Sequence, residues 1–284
     1  FLHEWVHQPF DEQYQPGMCM GWWGTHFSRY QTWFEPGKAF FTWLGRCQAM
    51  LQYGEQISDY LSMDEVVGCS DVISESDFLN DSIKVVNSKI VLPSGRSYPF
   101  MVFPDNNKML PEIANKARDL VSKGATIVAR KPVSSPSLKN YPKCDQELAT
   151  IADELWGDGK NNFYKKGLVL TELEDAIRKY KITPDSFIEK AKHPEDIKVV
   201  HRHKDDLDIY FVANLSVQPQ YASISFRVSG KQPEIWHAEN GSVTDAPLWD
   251  EKDGRCFVDF NFQGTQSIFV VFRRKALKSE HPAS

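Results

Sequence analysis

The stretches HEWVHQPF (residues 3–10) and PGMCMGWWGTHFSRYQTWF (residues 16–34) carry the pattern that decides the fold of the N-terminal region. Their prolines and glycines indicate a long loop between a short apolar segment and an apolar helix that begins near Pro36. Strand, polar and aromatic loop, and helix form the repeating unit of a (β/α) barrel, and such loops lie on the catalytic face. We therefore predict that residues 1–63 are the last unit of a barrel whose other units precede Phe1.

The helix after this loop is expected to end before Gly54 and to bury one apolar face. Its apolar residues recur at spacings of three and four, which is the period of an amphipathic helix. They are Phe40, Phe41, Trp43, Leu44, Cys47, Met50 and Leu51.

The second region, residues 64–190, alternates between strand and helix patterns. An apolar strand is predicted at 97–104, a helix at 111–123 and a second strand at 125–129. Strand, helix and strand joined by short links make a βαβ unit, which implies a parallel sheet. We expect a flavodoxin-like α/β domain here.

Two more helices are predicted in this domain. One covers 144–156, and the capping-box sequence Thr171-Glu-Leu-Glu174 is expected to start the other. The strand-to-helix links carry no glycine-rich phosphate fingerprint, which argues against a nucleotide site.

The third region, residues 191–284, changes to a period of two. Ile224, Phe226 and Val228 alternate with polar residues, and Asn240-Gly241 and Asp253-Gly254 are typical of tight hairpin turns. These features predict an antiparallel β-sandwich. The fold class predicted for the whole chain is thus α/β plus all-β.

Composition narrows the possible partners. The net charge is −5, so nothing favours binding to nucleic acid or to an anionic membrane. The chain is 41% hydrophobic, which is typical of a globular protein. No apolar run approaches the length of a membrane-spanning helix. The five cysteines are far apart and form no CxxC pair, so we expect packing residues and neither disulfides nor zinc. We predict no cofactor and no metal site.

The N-terminal loop has the side chains of a sugar pocket. Sugar C–H faces stack on indole rings, while hydroxyl groups bind to imidazole and guanidinium groups. His3 and His7 are four residues apart, which would align them as metal ligands on a helix, but Pro9 favours an extended segment.

Several segments together resemble the α-L-rhamnosidases of glycoside hydrolase family 106. They are the two N-terminal stretches, LGRCQAMLQYGEQISDYL (44–61), LPSGRSYPFMVFPDNNKMLPE (92–112) and IYFVANLS (209–216). Family members are longer, so the resemblance implies the C-terminal portion of a larger protein whose missing N-terminal barrel is its partner. It also implies release of terminal α-L-rhamnose from a glycan by an inverting route, calcium at the substrate in some members, and a secreted or periplasmic bacterial location.

The resemblance suggests which loop residues bind sugar. The substrate-binding candidates are His3, His7, Gln8, Trp22, Trp23, Thr25, His26 and Arg29. Of the two tryptophans we expect one to stack on sugar and one to pack in the core. Arg29 binds either a sugar hydroxyl or a carboxylate in an ion pair.

Inverting hydrolysis needs a carboxylic acid and a carboxylate about 6.5–9.5 Å apart. The loop offers few candidates: Glu4 is a weak one, Glu12 lies within the loop, and Glu35 reads most simply as a charge at a helix N-terminus. We therefore expect the catalytic pair on barrel strands outside this chain, which alone should not hydrolyse rhamnosides.

Two other readings of the chain remain open. In one, the chain is a carbohydrate-binding or structural module without chemistry of its own. In the other, the flavodoxin-like domain has a separate small-molecule role. Outside the N-terminal loop, His201 and His203 alternate with Arg202 on a predicted strand and are expected to face solvent.

Overall fold

The structure, a computed structural model, describes residues 32–63 and 68–276. Its helices are α1 Gly37–Leu51, α2 Glu75–Phe78, α3 Pro111–Ser122, α4 Lys143–Trp156 and α5 Leu173–Tyr180. Its first ten strands are β1 Glu55–Gln56, β2 Tyr60–Met63, β3 Ser70–Ile73, β4 Lys84–Val86, β5 Lys89–Val91, β6 Ser97–Tyr98, β7 Met101–Val102, β8 Thr126–Val128, β9 Asn162–Tyr164 and β10 Gly167–Leu170. The rest are β11 Ser186–Ala191, β12 Ile197–Lys204, β13 Leu207–Asn214, β14 Gln220–Phe226, β15 Lys231–Trp236, β16 Val243–Asp245, β17 Trp249–Lys252, β18 Arg255–Phe262 and β19 Ser267–Lys275.

The described residues form two compact units. One combines residues 32–56 with residues 186–276, and the other is Ile57–Asp185. Helix α1 thus belongs to the same unit as the C-terminal strands. Most strand pairs are antiparallel and the helices are few, so the described chain is β-rich. The three-domain division at 63/64 and 190/191 stays a prediction.

The unit Ile57–Asp185 contains a sheet with the order β3-β2-β7-β8-β10-β9. Strands β3, β2, β7, β8 and β10 run parallel, and only β9 is antiparallel to its neighbour. Helix α3 links β7 to β8, which confirms the predicted βαβ unit. Helices α3 and α4 cover one face of the sheet, and α5 covers the other. Burial on both faces explains the continuous apolar runs of these strands.

The helices of this unit lie where the sequence placed them, but one cap differs. Helix α5 begins at Leu173 with Glu172 as N-cap residue, and no side chain caps it. The capping-box prediction was therefore wrong. The Thr171 hydroxyl instead donates to Asn161 Oδ1 at 3.3 Å, because the helix starts beyond the position that its side chain could cap.

The other unit contains two antiparallel sheets. Their orders are β1-β12-β13-β19-β15-β16 and β11-β14-β18-β17. Facing side chains of the two sheets share one hydrophobic core, which includes Tyr210 and Phe272 from the first and Phe226 and Val258 from the second. Burial of these apolar surfaces stabilises the pair of sheets.

Of the two predicted turn pairs, one forms a two-residue hairpin turn and the other lies in a longer loop. Asp253-Gly254 is the two-residue turn of the β17–β18 hairpin, since Lys252 pairs directly with Arg255 and both turn residues have positive φ. Asn240-Gly241 instead lies within a longer connection, residues 237–242, between β15 and β16.

Helix α1 packs its C-terminal half on the outer face of the six-stranded sheet. Cys47 joins Ile209, Phe269 and Val271 in a small core there. The expectation of one fully buried face was wrong for the N-terminal half, where Phe40 is 45% exposed. The remaining apolar side chains of the helix, Phe41, Trp43, Leu44, Met50 and Leu51, are half-buried.

Among the described residues, no helix is long and apolar enough to cross a membrane.

Trp156 tests the core of the unit Ile57–Asp185. Its side chain is fully buried and its indole N–H donates to the Ala129 carbonyl at 2.9 Å. We expect Trp156→Ala to lower the free energy of unfolding by about 3–5 kcal/mol, because it leaves a large cavity and an unpaired carbonyl. Urea unfolding followed by circular dichroism measures this change. Phe163→Ala, at a side chain 79% exposed, is the control and should change the stability by less than about 0.5 kcal/mol; equal losses would contradict the assignment.

Candidate functional site

The sugar-binding residues predicted from the sequence lie outside the described residues. This applies to Glu4 and Glu12 and to the substrate-binding set His3, His7, Gln8, Trp22, Trp23, Thr25, His26 and Arg29. Their roles stay predictions. In the described residues that follow them, half-buried Trp33 packs against Gly37, and exposed Glu35 precedes the N-cap residue Pro36.

A cavity of 280 Å³ lies between α1 and the β15–β16 hairpin. Arg46 from α1 and Trp236 from β15 line it, and the guanidinium Nη1 of Arg46 donates to the carbonyls of Ala238 at 2.9 Å and Glu239 at 3.1 Å. Gly241 has a φ of +77°, and a Cβ there would approach the Arg46 Cζ to 3.1 Å, so glycine lets the loop close on the guanidinium. The other lining residues are Ala49, Met50, His237, Ala238, Ser242, Val243 and Phe269.

The indole ring of Trp236 is held by its neighbours. Its Nε1 donates to Glu234 Oε2 at 2.9 Å, and the Arg273 guanidinium lies 5.1 Å from the ring centre. An oriented indole beside a few polar groups in an apolar cavity suits a small ring-shaped ligand such as a sugar. Sequence reasoning missed this cavity because Arg46 and Trp236 are far apart in the chain.

Glu234 is a buried residue that binds the indole N–H of Trp236, one of the residues lining the cavity. It accepts hydrogen bonds from Arg273 Nε at 2.9 Å and from Arg274 Nε at 2.6 Å, and only 2% of its side chain is exposed. Burial raises the pKa of Glu234, but the hydrogen bonds from Trp236, Arg274 and Arg273 outweigh it and hold the pKa below its usual range. The carboxylate is therefore ionised and fully paired, which fits a structural role.

His201 does not face solvent as the sequence analysis expected, and His203 does so only in part. His201 is buried and stacks on Tyr210 with ring centres 3.9 Å apart, and His203 is partly exposed. Both imidazoles share the inward face of β12 with Ile197 and Val199, which pack in the core between the two sheets. The sequence analysis predicted correctly that the two histidines share one face of β12, but that face is the inward one and not the outer one.

Two other cavities include charged or polar side chains in their linings. One, of 270 Å³, lies beside the first turns of α3 and α4 and carries Glu112, Lys139 and Glu147. Its two carboxylates disfavour a phosphate ligand. The other, of 350 Å³, lies at the edges of the two antiparallel sheets and includes Asp259 and Asn261.

The described cysteines behave as packing residues. Cys47, Cys144 and Cys256 are buried, Cys69 is half-buried, and none of these four forms a disulfide. Burial raises the pKa of the Cys256 thiol well above its usual range, so that it stays protonated. The fifth, Cys19, lies outside the described residues.

Comparison with known proteins gives matches to a family model, to a sequence relative and to solved structures. The family model described as alpha-L-rhamnosidase, glycoside hydrolase family 106, matches residues 1–66 and 69–248. A protein of Formosa agariphila named "Putative beta-glucuronidase" is 35% identical over 288 residues, covering 96% of this chain and 24% of that protein. The structure of a rhamnosidase from Novosphingobium sp. PP1Y superimposes with a TM-score of 0.78 at 25% identity, covering 93% of this chain and 27% of that one.

A beta-galactosidase from Bacillus circulans sp. alkalophilus shares the fold alone, with a TM-score of 0.50 at 10% identity, over 91% of this chain and 48% of that one. The extent of the family match identifies the chain as glycoside hydrolase sequence. More narrowly, the chain belongs to glycoside hydrolase family 106, the α-L-rhamnosidases. It spans about a quarter of the length of the relatives named above from Formosa and Novosphingobium.

The hydrogen bonds from Trp236, Arg273 and Arg274 to Glu234 make part of the free energy of unfolding depend on pH. Because the folded-state pKa of Glu234 is lowered, its contribution is present above the ordinary pKa of about 4.3 and is lost as the pH falls through the folded value. We expect Glu234→Gln to lower the free energy of unfolding at pH 7 by about 1–3 kcal/mol. The difference from the unmodified protein should shrink below about pH 4. Urea unfolding at pH 7, 5 and 3.5 measures this.

Asp245→Asn is the matched control, because Asp245 also binds Arg274 but is 55% exposed. It should cost less than about 1 kcal/mol. A pH-independent loss in Glu234→Gln would contradict the assignment.

Proposed function

We propose that the chain is the C-terminal part of a glycoside hydrolase that releases terminal α-L-rhamnose from a glycan. Family membership and the similarity to the Novosphingobium rhamnosidase over 93% of the chain support this. In this proposal the N-terminal loop forms one wall of the sugar site, and the sugar stacks on Trp22 or Trp23 while His7, His26 and Arg29 contact its hydroxyls.

The domain arrangement is part of the proposal. Residues 1–63, which include α1, are the last unit of a (β/α) barrel, residues 64–190 are the flavodoxin-like domain, and residues 191–284 form a β-sandwich. The exposed Phe40 and half-buried Trp43 and Leu44 of α1 support it, since a barrel helix would cover such side chains with neighbouring barrel elements.

The catalytic carboxylates are assigned to the part of the protein outside this chain. A general acid needs a raised pKa to carry its proton near neutral pH. Where the pKa of a carboxyl group is shifted among the described residues, it is lowered, as for Glu112, Glu195, Asp208 and Glu234. An inverting route through two other carboxylates is therefore proposed.

Calcium is proposed to bind outside the described residues. Calcium takes oxygen ligands. The clusters of possible metal ligands within residues 32–63 and 68–276 both include histidine nitrogen, so their donor sets do not fit it. A secreted or periplasmic location is proposed from the family resemblance.

A β-glucuronide is the second candidate substrate. The relative from Formosa is 35% identical and carries the name of a beta-glucuronidase. Paired assays on aryl α-L-rhamnoside and aryl β-D-glucuronide separate the two substrates.

The first functional prediction compares the activity of the full-length polypeptide with that of this chain alone. We expect the full-length polypeptide to hydrolyse the aryl rhamnoside with inversion, so that proton NMR shows the β-anomer of rhamnose first. The chain alone should show no turnover, because it lacks the carboxylate pair. Turnover by the chain alone that disappears in Glu4→Gln would overturn this, and inversion would be wrong if the α-anomer appeared first.

The second functional prediction concerns His26 in the proposed sugar pocket. In the full-length polypeptide, His26→Ala should raise KM for the rhamnoside by about 2–10-fold, since one hydrogen bond to a hydroxyl contributes about 0.5–1.5 kcal/mol. His193→Ala is the control, because His193 is an exposed histidine whose imidazole pairs only with the exposed Glu195. An equal effect of both variants would remove His26 from the pocket.

A carbohydrate-binding module without chemistry is the alternative. Rhamnose seen by crystal soaking at Trp22 and His26 would support the catalytic pocket. Rhamnose bound only on the antiparallel sheets, at Trp236 or at Asn261, would support the binding module.

A further inference from the structure

Polar side chains converge at the end of the hairpin formed by β12 and β13. The sequence His201-Arg202-His203 lies on β12, and alternate residues of a strand point to the same face. Asp208 on β13 pairs directly opposite His203. The strand register therefore brings two imidazoles and one carboxylate to the same place.

The three side chains meet at one carboxylate oxygen. Asp208 Oδ1 lies 3.2 Å from His201 Nε2 and 2.6 Å from His203 Nδ1, and the three donor atoms lie within 4.8 Å of one another. A tetrahedral zinc ion has bonds of about 2.0–2.2 Å to nitrogen and oxygen, which separates its ligand atoms by about 3.3–3.5 Å. The 3.2 Å pair is already close to that spacing, and the 2.6 Å pair would have to open by about 0.7–0.9 Å.

Neighbouring groups fix the orientation of these side chains. Lys231 Nζ lies 3.0 Å from Asp208 Oδ2, which leaves Oδ1 directed at the histidines. The ring of His201 is held against Tyr210 by stacking. Such supporting contacts are what orients the ligands of protein metal sites.

The charges around the site also suit a cation. Asp208 supplies one negative charge, and any hydrogen that the two imidazole nitrogens share with its Oδ1 would leave when an ion binds, since metal ligands are deprotonated. The positive charge of Lys231 is offset by a second carboxylate, Asp206, at 2.9 Å. The net charge beside the site therefore does not repel a divalent ion strongly.

We propose that His201, His203 and Asp208 bind a divalent transition-metal ion of the zinc type, with water as the fourth ligand. Two nitrogen donors and one carboxylate suit zinc or cobalt and disfavour calcium and magnesium. The side chain of His203 is 39% exposed, whereas those of His201 and Asp208 are 7% and 12% exposed. The ion and its water would therefore enter from the side of His203.

A bound ion there would stabilise the sheet. It would join β12 to β13 by ligand bonds, next to the point where Glu55 of β1 pairs with His203. The proposal does not depend on the activity of the whole enzyme, because its readouts are metal binding and stability.

The test uses the chain after treatment with a chelator. We expect titration with cobalt(II) to give the intense visible absorption of four-coordinate cobalt, with one ion per chain, and zinc to compete for the same site. Zinc should raise the melting temperature, whereas magnesium and calcium at equal concentration should not.

Variants locate the site. His203→Ala, at the most exposed ligand, should weaken cobalt affinity by at least about 10-fold while circular dichroism shows an intact fold. His193→Ala removes the exposed cluster of His193, Glu195 and Asp196 and should leave affinity unchanged. If His203→Ala does not fold, His203→Gln replaces it. No cobalt absorption in the unmodified chain, or unchanged affinity in the His203 variant, would overturn the proposal and leave these groups as an ion-pair network.

Discussion

Strands β13 and β19 are buried on both faces, and the architecture of their unit depends on that double burial. Tyr210, Val270 and Phe272 point into the core shared with the second sheet, whereas Ile209 and Phe269 point to α1. A strand buried on both sides needs a covering layer on each side, because any uncovered apolar face would stay in water. The four-stranded sheet supplies one layer, and the C-terminal half of α1 supplies the other. A helix near the N-terminus is thereby joined to strands near the C-terminus, with the unit Ile57–Asp185 lying between them in sequence.

Among the described residues of this unit, the buried carboxylates Glu234 and Asp208 are each paired, whereas the buried Gln232 Oε1 has no hydrogen-bond partner. Glu234 is held by Trp236, Arg273 and Arg274, and Asp208 by His201, His203 and Lys231. A buried carboxylate without partners would be protonated or would destabilise the fold, so each network has to be complete. The same completeness orients neighbouring groups. The indole of Trp236 in the cavity wall and the imidazoles beside Asp208 owe their positions to a carboxylate that is itself fixed.

Family membership and the described structure inform different parts of the function. The family match covers the N-terminal loop as well as the α/β unit and most of the C-terminal strands. The loop carries the aromatic and imidazole groups of the proposed pocket, and in the described units the shifted carboxyl groups are held in their ionised form. The chain spans about a quarter of the length of its relatives from Formosa and Novosphingobium.

Local patterns in the sequence determined much of this protein. The βαβ unit and the bounds of α3 follow from periodicity and from end signals such as Pro111 and Gly124, because these act within one turn or one strand. Alternation likewise showed that His201 and His203 share a face. Family-specific motifs gave the resemblance to glycoside hydrolase family 106, which the family match confirms. Each of these inferences needs only neighbouring residues.

Tertiary structure alone decided the rest. Alternation cannot say which face of β12 is covered, since that depends on the register with β13 and on the second sheet, and so the two histidines were placed on the wrong side. Periodicity likewise could not show that only half of α1 meets a sheet. The cavity between Arg46 and Trp236 arises from residues far apart in sequence, and only the packing of α1 on β15 brings them together. The physical reason is the same in each case: sequence specifies which side chains can share a surface, and long-range packing specifies what that surface meets.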